Sequence, residues 1–375
     1  MNAPLIVNIN NLEHQLREQL RQLLSKVPGL DPIDLFPAGD SPDLGYDIFA
    51  TLRTRHGECV DLLIECKELP RPSQFPVVRQ ESQRMNDGTR TTVPVLAAPW
   101  ISPRMAELCD QHGWGWFDLA GNCNLSIPGV LYIERTGFEP VYKRKPAKAK
   151  LSTPESARII RTLLIQKDIA RQWTQRELKD ACTPEVSLGL VNKVVRYLKD
   201  QAYLMDVETG RGFKLHDPLG LLKEWSQHYR FDQHVRYEYF TLNKNRTVCE
   251  EMVEQLAEKD GQYALSVFSA ATEQAAHVRG ELKLWLYLER NLLDEFKRVA
   301  EASAVDTGAN IVVLIPEDAG VFAGKQITHP AGIPCTHPIQ TYIDLKQAGG
   351  RGDEAAEALL EQRIKPAWKS ANLVW

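Results

Sequence analysis

What the 375-residue sequence lacks narrows its class first. No stretch approaches the roughly 20 consecutive apolar residues that cross a bilayer. The opening MNAPLIVNINNLEHQL has neither the basic nor the apolar region of a secretory signal, so a cytoplasmic protein without membrane contact is expected. Seven cysteines (Cys59, Cys66, Cys109, Cys123, Cys182, Cys249, Cys335) include no CxxC pair and no metal-ligand spacing. That argues against a structural zinc and fits a reducing compartment. Positive charge is not in excess either: 45 Lys and Arg against 49 Asp and Glu give a net charge of -4. A globally basic polyanion binder is excluded, and any nucleic-acid surface has to be local. What is present is 43% hydrophobic residues, enough in a chain of this length for the cores of two or three domains.

Composition divides the chain. YKRKPAKAKLSTPESA alternates Lys143, Arg144, Lys145, Lys148 and Lys150 with Pro and Ala, so residues 142–150 read as a solvated basic linker. Upstream, residues 1–141 open with NNLEHQLREQLRQLLSKV, where Leu12, Leu16, Leu20, Leu23, Leu24 and Val27 recur at helical spacing until Pro28 and Gly29 end the helix. YDIFATLRT and CVDLLIECK have strand composition, with RHGE as the turn between them. TVPVLAAPWI is a further strand, and SPRMAELCDQHG a helix capped by Ser102, with Pro103 in its first position and Gly113 as its stop. WGWFDLAGN and NLSIPGVLYIE follow as strands. The expected order is helix, two strands, a connection, then strand, helix, strand, strand.

Within this order DLLIECKELP sets Glu65 and Lys67 two residues apart, on one face of a strand. An acid on the preceding strand followed by Glu-x-Lys resembles the PD-(D/E)XK nuclease-like fold over roughly the first third of the chain. That resemblance implies a mixed sheet with flanking helices, an Asp and Glu65 holding Mg²⁺, and Lys67 positioning the attacking water. Hard oxygen ligands suit Mg²⁺, which lowers the pKa of bound water. The first acid is Asp43, in a literal SPD, or Asp47, at the start of its strand; Asp47 is favoured. Glu13 or Glu18 stands where some members of that family place an additional acid. The plainer alternative is a solvated Glu-Lys pair on a sheet face. FDLAGN sets Asp118 and Asn122 about a turn that Gly121 permits, either as turn chemistry or as a polar contact to DNA or a second subunit.

Residues 151–217 carry the sharpest pattern. TPESARIIRTLLIQ is a helix opened by Thr153, with Pro154 and Glu155 in its first turn; TQRELKDAC is a second, its Thr174 and Glu177 forming a capping box. SLGLVNKVVRYLKDQAYL is a third, capped by Ser187, with Val191, Val194, Val195 and Leu198 facing inward. LMDVETGRGFKLHDP reads as a hairpin with residues 209–212 at its tip. Three helices and a β-wing resemble the winged helix-turn-helix family. The resemblance implies that the third helix enters the major groove of double-stranded DNA and presents Leu188, Gly189, Asn192, Lys193, Arg196 and Lys199. Asn192 suits adenine and Lys193 or Arg196 guanine or phosphate, with Thr174 and Ser187 at helix starts and Arg211 and Lys214 in the wing. The alternative is a helical bundle with a solvated basic face, or a winged domain used for protein contacts.

Residues 218–375 read as mixed α/β. NRTVCEEMVEQLAEKDG is helical, QYALSVFSAAT runs from strand into small residues, ELKLWLYLE and ANIVVLIPED are strands, and TYIDLKQAGGRGDEAAEALLEQRIKPAW supplies one closing helix. Ser269, Thr272 and Glu273 suit a nucleotide site or a helix cap. On PLGLLKEWSQHY, SAATEQAA, IVVLIPED and IQTYIDLKQAGGRGDEAAEALL, taken with the preceding module, the chain resembles the AbiEi-type antitoxin and regulator family of type IV toxin-antitoxin systems. The whole reads as an α/β and α+β multidomain protein. The expected function is an antitoxin-like, DNA-binding transcriptional regulator, acting as a homodimer and needing no cofactor to bind DNA. The alternatives are a Mg²⁺-dependent DNA nuclease targeted by the central module, and a toxin-neutralising or phage-defence subunit.

Overall fold

The computed structural model describes residues 9–27, 34–37, 46–53, 59–75, 91–127, 131–140, 150–207, 211–275 and 283–369. The chain forms two compact units, residues 1–147 and 148–375, both built of mixed α/β structure. Asp43, the RHGE turn and most of the basic linker lie outside the described residues.

Among the described residues the N-terminal unit is one seven-stranded sheet with a helix on each face. Helix α1 (Ile9–Leu24) precedes β1 (Asp34–Pro37), β2 (Ile48–Arg53), β3 (Cys59–Cys66) and β4 (Thr91–Ala98). Helix α2 (Pro103–Gln111), β5 (Gly115–Asp118), β6 (Cys123–Ile127) and β7 (Leu131–Arg135) complete it. The strands lie in sequence order, with β3, β4 and β5 parallel and the remaining neighbours antiparallel. Parallel neighbours require a crossover, and α2 is the one between β4 and β5. Its start is as expected: Ser102 Oγ accepts from Met105 N at 3.2 Å, and Pro103 fills the first position.

The period-two alternation of the strands divides the apolar residues between the faces. Leu12, Leu16, Leu20, Leu23 and Leu24 of α1 pack on Ile48, Ala50, Leu52, Val60, Leu62, Ile64, Val95 and Ala97. On the other face Met105, Leu108 and Cys109 of α2 pack on Leu96, Ala98, Trp114 and Trp116. Two elements differ from the expectation. Strand β1 was not legible in its four residues, and NLSIPGVLYIE is two antiparallel strands, Ile127 opposite Leu131.

The C-terminal unit begins with α3 (Pro154–Leu164), α4 (Gln175–Ala181), α5 (Leu188–Asp200) and a hairpin of β8 (Leu204–Asp206) and β9 (Phe213–Leu215), to which Trp173 adds a bridge with Phe213. Helix α6 (Pro218–His228) leads into β10 (Val235–Phe240), α7 (Asn245–Leu256), β11 (Tyr263–Leu265), α8 (Val267–Gln274) and β12 (Leu284–Leu288). Then come α9 (Leu293–Val299), β13 (Ser303–Ala304), β14 (Ile311–Ile315), β15 (Gln326–Ile327), β16 (Pro334–Cys335), α10 (Pro338–Ala348) and α11 (Gly352–Leu359). The second sheet has the order β13-β10-β14-β12-β11-β16-β15.

Alternation again sorts the sheet's residues. Leu284, Leu286, Leu288, Ile311 and Val313 face α7 and α9. Trp285, Tyr287, Val312 and Leu314 share one continuous core with Leu163 of α3, Val194 and Leu198 of α5, Trp225 of α6 and Ile343 of α10. The helical module and the sheet are thereby welded into one body. The closing segment is not one helix: α10 and α11 are separate, and α11 runs on through a π-helical turn (Leu360–Ile364) into a last α-helical turn (Lys365–Lys369). Gly349 and Gly350 both take positive φ (74° and 57°), a conformation open to glycine that ends α10 before α11 begins.

Leu16 has no solvent exposure at the centre of the α1 core. Leu16→Ala should destabilise the N-terminal unit by about 2–5 kcal/mol, the transfer cost plus the cavity left behind. Urea denaturation checks this, and a loss below about 0.5 kcal/mol would show that α1 does not hold that face.

Candidate nucleic-acid interface

Helix α5 is shaped by its caps and valines. Ser187 Oγ accepts from Leu190 N at 3.2 Å, which starts the helix, and Val191, Val194, Val195 and Leu198 are buried. The 3.6-residue period then turns Leu188, Gly189, Asn192, Lys193 and Arg196 to solvent. Lys193 and Arg196 form no ion pair among the described residues, whereas Lys199 is held by Asp206 of the hairpin. Asn192 Nδ2 donates to Gln175 Oε1 of α4 at 3.1 Å, an exposed bond that water or a base can replace. Thr174 is committed to its capping box: its hydroxyl accepts from Glu177 N at 3.2 Å and donates to the Glu177 carboxylate. Arg211 is exposed and Lys214 half-buried on β9.

In the N-terminal unit the strand register brings the sequence-predicted acids together. Asp47 N donates to Ile64 O, and Ile48 pairs with Ile64, which sets Asp47 opposite Glu65. Asp47 Oδ2 accepts from Cys66 N at 2.6 Å. Glu65 and Lys67 form an ion pair. Glu13 of α1 feels the same charge: its carboxyl is held above the usual range by burial and by Asp47. Burial, then Asp47, Glu13 and Glu65, push the Cys66 thiol up as well, so it is inert as a nucleophile. Glu18 instead pairs with Arg21 at 2.6 Å on the helix surface. Among the described residues no group of three or more His, Cys, Asp or Glu side chains is arranged to hold a metal ion.

The FDLAGN turn is saturated from within. Asp118 is fully buried; Oδ1 accepts from Gly121 N and Asn122 N, both at 2.9 Å, and Oδ2 from Asn122 Nδ2 at 2.9 Å and Ile101 N at 3.3 Å. Asn122 clamps Phe138 by both its N–H and its C=O. These two side chains are committed to holding a loop. Ser269 and Thr272 are spent likewise, Ser269 Oγ accepting from Trp285 N at 2.9 Å and Thr272 Oγ1 donating to Phe268 O at 2.9 Å.

One polar cluster was missed in the sequence. Arg161 of α3 is 2% exposed and its Nε donates to Gln340 Oε1 at 2.9 Å. Gln340 Nε2 donates in turn to Asp344 Oδ1 (2.8 Å) and Tyr229 Oη (2.9 Å), and Tyr287 Oη donates to Asp344 Oδ1 (3.0 Å). His234 Nδ1 accepts from Glu317 N, so its proton sits on Nε2, 2.8 Å from Tyr229 Oη. The signal was present in IQTYIDL: Gln340 and Asp344 at i, i+4 inside an apolar helix mark a buried polar pair.

No protein-family model matches the chain, and comparison with curated proteins and with solved structures returns no match.

Burial pushes the Asp344 carboxyl up to about 7. The folded state therefore keeps a proton that the unfolded chain releases near pH 4, and this stabilisation is full below about pH 4 and lost as pH rises through 7. His234 and His337, pushed down to about 4 by burial, act in the opposite sense, costing stability as pH falls from about 6.5 to 4. The isolated effect is a difference between variants. Asp344→Asn keeps the acceptor for Tyr287 and Gln340, so its stability relative to wild type should improve as pH rises from about 4 to 7. Urea melts across that range check this, and a pH-independent difference refutes it.

Proposed function

We propose that this chain is a DNA-binding regulator in which α3, α4, α5 and the β8–β9 hairpin act as a winged helix-turn-helix, α5 lying in the major groove. One observation carries the reading: α5 buries a valine stripe while exposing Leu188, Gly189, Asn192, Lys193 and Arg196 on its other side. Those side chains have the chemistry of base readout. An amide such as Asn192 pairs with adenine N6 and N7, a guanidinium such as Arg196 with guanine O6 and N7, and Lys193 with phosphate. Arg211 and Lys214 are the hairpin's phosphate contacts, and Thr174 and Ser187 bring the starts of α4 and α5 to the backbone. No cofactor enters this reading. One such helix reads only a few base pairs, so a homodimer on paired half-sites supplies regulator-grade specificity. The resemblance to AbiEi-type regulators suits this role and adds a cognate toxin as a partner.

A second reading, a Mg²⁺-dependent nuclease of PD-(D/E)XK type, is favoured by Asp47 standing opposite Glu65 with Lys67 beside it. The donors suit Mg²⁺ in kind. In the arrangement described, one Asp47 oxygen is engaged by the Cys66 amide and Glu65 by Lys67, so the site is not preassembled for the ion. We therefore favour a retained scaffold that contacts DNA or supports assembly. Plasmid cleavage in Mg²⁺ that Lys67→Ala abolishes would reverse this preference.

Replacing Asn192 and Arg196 by Ala should weaken binding to the protein's own upstream DNA by about 1–3 kcal/mol for each side chain that reads a base, and Lys193→Ala should reduce the salt dependence of affinity by about one ion. A gel shift unchanged in the Asn192, Arg196 double variant would refute the assignment.

A further inference from the structure

One side chain of the exposed row on α5 is engaged by the neighbouring helix. Asn192 Nδ2 donates to Oε1 of Gln175, the first residue of α4, at 3.1 Å. Both backbones are held. The capping box of Thr174 and Glu177 sets where α4 begins, and Leu178 beyond it is fully buried, so Gln175 sits half-buried on an anchored helix start. Asn192 follows the buried Val191 and precedes the buried Val194 and Val195. Only side-chain torsions remain to be set, and this bond acts on them.

What the bond selects is the sense of an amide. A carboxamide that flips exchanges its donor for its acceptor with almost no change of shape. With Nδ2 turned to Gln175, Oδ1 is left over, and it has no hydrogen-bond partner among the described residues. In the major groove adenine offers a donor at N6 and an acceptor at N7, whereas guanine offers acceptors at O6 and N7. An Asn192 held with Oδ1 forward accepts from adenine N6, and the second hydrogen of Nδ2 serves N7, so the bond to Gln175 survives the contact. Against guanine the same Oδ1 meets O6, acceptor against acceptor. Released from Gln175, the amide can flip and give Nδ2 to O6. We propose that Gln175 is a specificity-determining residue that touches no base itself and positions Asn192 to select adenine over guanine. This inference rests on the DNA-binding reading and deepens it.

Sequencing the fraction of a random-sequence DNA duplex library bound by the full chain tests it, with Asn192→Ala marking the base pair that Asn192 reads. Wild type should prefer adenine at that pair. Gln175→Leu, which keeps bulk and removes the acceptor, should lower the preference for adenine over guanine there about tenfold, within the discrimination one base contact supplies, and leave the pair marked by Arg196→Ala unchanged. Gln175→Glu keeps an acceptor for Nδ2, so it should retain the adenine preference while its added charge weakens binding to every sequence. A Gln175 that only supports the fold would weaken all positions alike when replaced by Leu. That result overturns the proposal, as does an unchanged preference in Gln175→Leu, a loss as complete in Gln175→Glu, or an Asn192→Ala that erases no adenine preference. These failures are seen against a wild type that selects a site, so they leave the DNA-binding reading standing; a wild type that enriches no sequence overturns both.

Discussion

A guanidinium carried into the interior on α3 sets the terms for the C-terminal unit. Arginine cannot shed its charge, and moving an ion out of water costs several kcal/mol unless partners restore what hydration gave. Arg161 bonds Gln340 of α10 directly, and through Gln340 it joins a chain of polar groups from elements far apart in sequence: Asp344 of α10, Tyr229 from the end of α6, His234 from the start of β10 and Tyr287 of β12. Each is buried or half-buried, and each is oriented by the next. The network therefore does for α3 what an apolar contact cannot. It specifies one docking geometry, because any other would strand the charge.

That constraint passes outward to α5. Val191, Val194, Val195 and Leu198 share a core with Leu163 and Leu164 of α3, so the exposed row on α5 is presented by a rigid body. Reading a base edge requires side chains held within a fraction of an ångström, and a face built on packed helices meets that demand better than a loop. The charge on that row is local: among the described residues Lys193 and Arg196 form no ion pair while Lys199 is taken up by Asp206, so in a chain of net charge -4 the positive field is confined to a few positions.

How much of this was legible in the sequence follows from the range of the forces involved. Capping is local chemistry, and Ser102, Thr153, Thr174 and Ser187 all cap where the sequence put them. The valine stripe of α5 and the leucines of α1 carry their period openly. Arg161 was hidden because ARIIRTLL reads as an amphipathic helix whose arginines belong outside; its burial depends on Gln340, 179 residues away. Asp118 and Asn122 were ambiguous for the same reason, since the residues that saturate them, Ile101 and Phe138, are not neighbours in the chain. The π-helical turn Leu360–Ile364 after α11 had no signal of composition that separates it from an ordinary helix.

The N-terminal unit raises a different problem, because its two readings share one fold. The register that sets Asp47 opposite Glu65 is fixed by the alternation that sends Ile48, Ala50, Val60, Leu62 and Ile64 to the α1 core; a slip by one residue would expose that set. The acids therefore meet whether or not chemistry uses them. What separates a metal centre from a structural pair is how the oxygens are spent. A cation competes for lone pairs that here accept from the Cys66 amide and from Lys67, and burial together with the charge of Asp47 holds the Glu13 carboxyl above its usual range. The preference for a scaffold rests on that spending: one Asp47 oxygen accepts from the Cys66 amide and Glu65 is paired with Lys67, as a structural pair requires.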